Sequence, residues 1–307
     1  METKIMMLML LFAMVMPLLL ERPVQKIVSQ KLQALGMNRL NYRGDTVLTA
    51  CGLILVCSAT LSVLVLEVLL LLTGATPEIF LHGFLLMAGM SAMAYWGWRD
   101  DRASDPEAKG FRGHFGMLWR ERRVTSGIWK LIGGSSTAIC ISLFLSDSLW
   151  TWAVSFGLLA LSPNIINLVD LRPARAIKVF WFLISLAGAG SLWTVEVTAG
   201  VANWIFLIPV ILASILMFTY DAGGRMMLGD TGANALGFVV GYSFVMGTPT
   251  YVQVSMLVVF IFMQVAAEFY SFSRVIERVS WLQRLDEWGR TADADQEKNQ
   301  TGSSGLV

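Results

Sequence analysis

Apolar runs long enough to cross a bilayer recur along this chain, separated by short polar stretches. A helix needs about 20 mostly apolar residues to cross about 30 Å of hydrocarbon. Repeated runs of that size exclude a soluble domain with a large core, and the mean hydropathy of +0.62 over 307 residues says the same. Alternating ten-residue segments are absent, which argues against a transmembrane β-barrel. The expected class is an all-α polytopic membrane protein. The apolar runs place nine spans at about 5–20, 47–73, 79–97, 128–145, 149–162, 176–195, 201–220, 232–246 and 252–272. The first lacks a small-residue cleavage site at Leu18-Leu19-Leu20, and its stronger cationic flank follows it, so it reads as a retained helix.

Charge orders these spans. The net charge is only +1, but the cations are strongly clustered. Of the 23 Lys and Arg residues, all but Lys4 lie in segments 21–46, 98–130, 164–178 and 221–233 or after 272. The alternate connections contain none. The positive-inside rule therefore predicts an outside N-terminus and a cytoplasmic C-terminus. Residues 1–272 read as one integral membrane domain. Residues 273–290 place Val275, Ile276, Val279, Leu282 and Leu285 at helical spacing among charges, the pattern of an amphipathic helix on the inner membrane face. Residues 291–307 have the composition of a disordered tail. Cys51, Cys57 and Cys140 are widely spaced in apolar runs and suggest neither disulfides nor zinc. Two histidines, His82 and His114, are too few for a His-rich metal centre.

The stretch 161–178, LSPNIINLVDLRPARAIK, holds the densest polar chemistry. Between two apolar runs it places Asn164, Asn167, Asp170, Arg172, Arg175 and Lys178. Amides, a carboxylate and cations are the groups that hold a metal and a phosphate, whereas a simple turn could use Gly and Ser. Two further acidic groups fall on the same predicted side: Asp100-Asp101 after the third span, and Asp230 in LGDTGAN, 228–234. Clustered carboxylates need a cation among them. Mg²⁺ suits such a site, since it takes carboxylate oxygens, keeps waters and bridges substrate phosphates. Taken one at a time these motifs have plainer readings: a solvated helix end for Asp100-Asp101, a capped turn for Asp230, and membrane anchors for Arg172, Arg175, Lys178, Arg120, Arg122, Arg123 and Lys130.

In this order and on one side, the paired aspartates after the third span, the NxxNLxD stretch after the fifth and the GDTG loop after the seventh resemble the polyprenyl-phosphate N-acetylhexosamine-1-phosphate transferase superfamily. The stretch SGIWKLIGG, 126–134, resembles that family's entry into the fourth span. The resemblance covers about residues 1–272. It implies transfer of a sugar-1-phosphate from a UDP-amino sugar to a polyprenyl phosphate with release of UMP, dependent on Mg²⁺ with Mn²⁺ as the alternative ion. It further implies a multi-pass protein of the bacterial plasma membrane acting in cell-envelope glycan synthesis, without nucleic-acid partners and with a homodimer left open. By position, Asp100 and Asp101 match the paired aspartates near the acceptor phosphate, either as a base or as positioning groups. Lys130 matches a lysine near the phosphates, Asp230 the metal-binding aspartate, and Asn167 and Asp170 the nucleotide-sugar loop, with Asp170 also a metal ligand. Arg172 and Arg175, where the family has no such cations, fit either of two roles, clamping a diphosphate or standing as fixed cations in a silent site.

The chain also departs from that pattern. The family loop continues NLxDGxDG, where this chain has Leu171-Arg172-Pro173, and a histidine-containing last loop and final span have no counterpart. These departures support an alternative expectation, a catalytically silent relative that binds polyprenyl phosphate or a partner protein. A third class, a small-solute transporter, rests on Glu67 inside the second span and on the helix count.

Overall fold

A computed structural model describes residues 3–41, 43–74, 77–103, 125–192 and 197–290, the stretch 197–203 by its backbone alone. The expectations for 291–307, for His114 and for Arg120, Arg122 and Arg123 fall outside these residues. The described chain is a helical bundle with one small hairpin. Its helices are α1 (Thr3–Ala34), α2 (Gly52–Thr73), α3 (Pro77–Arg102), α4 (Ser126–Phe144), α5 (Leu149–Val169), α6 (Arg175–Ser191), α7 (Val197–Ala222), α8 (Gly229–Gly247), α9 (Thr250–Ala267), α10 (Phe272–Arg278) and α11 (Ser280–Glu287). The strands β1 (Asn38–Leu40) and β2 (Thr46–Leu48) pair antiparallel between α1 and α2.

Among the described residues, seven helices are long and apolar enough to cross a membrane: α1, α2, α3, α4, α5, α7 from Trp204, and α9. These coincide with seven of the nine expected spans. Of the other two, α6 has 17 residues, and α8 opens on the polar sequence GDTGAN. Burial explains α8. Every residue from Thr231 to Phe244 is buried among α2, α3, α5, α6 and α7, so it meets protein rather than lipid and needs no continuous apolar surface. Its neighbours come close enough to exclude a side chain at two glycines. A Cβ on Gly237 would collide with the backbone of Pro163 in α5, and one on Gly97 in α3 would collide with the carbonyl of Asp230. Small residues at such crossings let backbones approach when lipid supplies no hydrophobic drive between helices.

Three boundaries differ from the sequence reading, each for a local reason. Helix α1 continues through the polar stretch after 20 to Ala34, because nothing there breaks it except prolines that the helix tolerates. Helix α5 runs through Pro163 to Val169, so Asn164 and Asn167 stand on its last turns rather than in a loop. The close packing of α8 on Pro163 supports the helix there. The amphipathic stretch 273–290 is two short helices, broken at Val279, whose backbone is extended (φ −108°, ψ 106°).

Successive helices run up and down. At one end of the bundle, α3, α5, α7 and α9 finish and α4, α6 and α8 begin. The polar residues of interest collect at this end. At the other end the described connections hold no Lys or Arg.

Candidate active site

Backbone demands come first. Helix α8 starts inside the bundle, where water cannot satisfy its first amides. Its own N-cap position, Leu228, has no side chain for the purpose. Asp101 of α3 does the work instead. One carboxylate oxygen accepts from the N–H of Asp230 at 3.0 Å, and the other accepts from the N–H of Thr231 at 2.9 Å and its hydroxyl at 2.6 Å. Gly229, at φ +69°, turns the chain into the helix with Asp101 against it. The charge also complements the positive end of the helix dipole. The Arg39 guanidinium donates to the Asp101 carbonyl at 2.7 Å, tying the hairpin to the end of α3.

Asp100, the other member of the pair, turns away from this cap. Its carboxylate lies 3.4 Å from the Lys130 ammonium. Lys130, projecting from the first turn of α4, also pairs with Asp230. The Asn167 amide completes the group when oriented to satisfy both neighbours. Its nitrogen donates to Asp230 at 2.9 Å and its oxygen accepts from Lys130 at 3.1 Å. Residues 100, 130, 167 and 230, far apart in sequence, therefore form one polar cluster.

Asp170 follows directly after α5. Burial, then the nearby charges of Asp221, Asp230 and Asp101, push its carboxyl well above the ordinary value, against the opposing charge of Arg175. A carboxyl facing three others and one cation is a place that a divalent ion would relieve. Asp170 and Asp230 carry hard carboxylate oxygens of the kind Mg²⁺ takes, and the Asn167 amide lies beside Asp230. No group of three or more His, Cys, Asp or Glu side chains with metal-binding geometry is formed among the described residues, so waters and substrate oxygens would have to complete the shell.

The cluster opens on a cavity of about 590 Å³ between α3, α4, α5, α8 and α9. Lys130 and Asn167 line its polar end, along with Asn164 and Gln264, which hydrogen-bond to each other, and Glu268. Leu131, Gly134, Phe156, Gly157 and Ala160 line the rest, which makes an apolar groove between α4 and α5.

The two arginines are engaged elsewhere. Arg175 is 4% exposed and pairs with both oxygens of Asp286 in α11, at 2.7 and 2.8 Å, while also donating to Ser273. Arg172 lies 3.5 Å from Glu277 in α10. Arg175 is thus held by a carboxylate of α11, while Arg172 is 38% exposed beside α10. Lys178 donates to the carbonyls of Leu285 and Trp288 at 3.0 Å each. Glu67 is 2% exposed, with no hydrogen-bond partner for its carboxyl among the described residues, and lies against Gly83, away from the cavity.

Sequence reasoning missed Asp221. Its buried carboxylate accepts from the N–H of Ala174 at 2.6 Å and of Leu228 at 3.2 Å, binding the 170–174 turn to the approach of α8. Ala174 carries φ +66°, a conformation costly for a residue with a Cβ, and this bond holds it there. The one signal available was an acidic residue at the edge of an apolar run. Neither a protein-family model nor a curated protein matches the chain.

Proposed function

We propose that this protein transfers a sugar-1-phosphate from a UDP-amino sugar to a polyprenyl phosphate at the cytoplasmic face of a bacterial plasma membrane. One observation carries the reading: Asp100 and Asp230 pair with Lys130, and Lys130 and Asn167 line a cavity whose walls are otherwise largely apolar. A lipid phosphate needs both halves, a charged end for its headgroup and a groove for its chain.

The chain's residues divide the work. Lys130 moves its ammonium from carboxylate to phosphate oxygens as substrate enters, and neutralises charge there. Asp100 faces the same point and orients the attacking phosphate. Asn167 holds Lys130 and Asp230 in register. Asp230 and Asp170 would hold Mg²⁺, or Mn²⁺, which when bound neutralises phosphate charge. The apolar groove keeps water from the reacting phosphates. The clustering of cations at alternate connections supports nine crossings with the N-terminus outside.

A silent relative that only binds polyprenyl phosphate is the second reading, favoured by Pro173 in the donor loop and by the capture of Arg175 by Asp286. The test is purified protein with undecaprenyl phosphate, radiolabelled UDP-N-acetylglucosamine and Mg²⁺. Label should enter the lipid fraction, and Asp230→Asn should reduce this at least about 100-fold. Binding of the lipid with no product from any UDP-sugar would establish the silent reading.

A further inference from the structure

Asn234 is the one residue of α8 on the cavity wall. It stands four residues after Asp230, so the two share a helix face one turn apart. It is 2% exposed, and neither its amide nitrogen nor its amide oxygen has a hydrogen-bond partner among the described residues. Gly97 of α3 faces it: a Cβ there would meet the Asn234 nitrogen, and α3 offers it no side-chain partner at that point. Leaving a buried amide unsatisfied destabilises the fold, because its lost hydration is not replaced. Asn is also a poorer helix former than Ala or Leu. The positions after it in α8 are Ala, Leu, Gly, Phe and Val, so packing alone does not call for an amide here.

We propose that Asn234 is a specificity-determining residue that reads an uncharged substrate group carrying both a donor and an acceptor, namely the acylamino group of the donor sugar. The amide presents two N–H donors and one oxygen acceptor. A secondary amide satisfies both kinds, whereas a hydroxyl at the same carbon lacks the carbonyl reach. A polyisoprenyl chain satisfies neither, being hydrocarbon. The phosphates belong one turn away, where Lys130 supplies charge. Asn234 therefore meets the neutral part of the molecule beside them. The inference rests on the transfer reading above.

The test measures binding, without turnover, to the full-length protein in detergent. UDP-N-acetylglucosamine and UDP-glucose are titrated against the wild type and Asn234→Leu. The wild type should prefer the acylamino sugar by about tenfold, and the variant should lose the preference while keeping its affinity for UDP-glucose. Without ligand, the variant should melt at the same temperature or higher, since an unpartnered amide is gone. If it does not fold, Asn234→Ala takes its place. A preference that survives the substitution, or is absent from the wild type, overturns the assignment while leaving transfer intact. Failure of the wild type to bind either nucleotide removes the transfer reading and the assignment with it. Selective loss of phosphatidate binding in the variant, with the sugar preference kept, would show that the amide reads a lipid ester, and would overturn it too.

Discussion

Adjacent carboxylates at the end of α3 do different work. Asp101 is a helix cap supplied from another helix, and Asp100 is a member of the polar cluster. The roles separate in a pair of substitutions. Asp101→Ala should lower stability by about 2 kcal/mol, because the first amides of α8 lose a buried acceptor. Asp100→Asn should leave thermal unfolding in detergent unchanged and cut transfer sharply. Equal effects of both on unfolding would contradict the division. Sequence made the pair visible but not its split, since one residue of offset on a helix sends neighbouring side chains about 100° apart. Asp230, Lys130 and Asn167 were legible because each stands in a short polar motif beside an apolar run. Asp221, Arg39 and the role of Asn234 were not. Their meaning lies in which backbone amides or cavity walls they face, and those come from other parts of the chain.

Elements were legible where they face lipid and obscure where they face protein. A lipid-facing helix must be apolar along its length, so α2, α3, α4, α7 and α9 announce themselves. Helix α8 is freed of that demand by burial and spends its first turn on GDTGAN. Pro163 marked an end in sequence, yet α5 passes through it because α8 packs directly against that backbone. The C-terminal helices show the same dependence on partners. Their break at Val279 lets α11 bring Asp286 to Arg175 and Arg290, both at hydrogen-bonding distance, while the Trp288 ring meets Phe218. Burial raises the Asp286 carboxyl, but the hydrogen bond and charge of Arg175, with those of Arg290, bring it net below its usual 3.8. A depressed carboxyl contributes stability above its unfolded value and loses it as pH falls through the folded one. Docking of α11 should therefore hold at neutral pH and weaken only under acid conditions below that usual value. Asp286→Ala should undock it at all pH values, read as faster protease cleavage between 270 and 290. Cleavage that ignores both pH and the substitution would show that the pairing does not hold these helices.

Over the whole molecule, one end of an up-and-down bundle gathers the acidic residues, a single lysine inside their cluster, and the mouth of a cavity that turns apolar within a few residues. The cations cluster at the connections of that end, and the proposed transfer would draw on a divalent ion that Asp170 and Asp230 would hold. Burial, with the charges of Asp221, Asp230 and Asp101, pushes the Asp170 carboxyl well above its ordinary value, and a bound cation would offset that. Electron paramagnetic resonance of Mn²⁺ titrated into the purified protein tests this most directly. The account predicts one bound ion, displaced by Mg²⁺ and lost in both Asp230→Asn and Asp170→Asn. Absence of a bound ion, or binding that survives both substitutions, would contradict it.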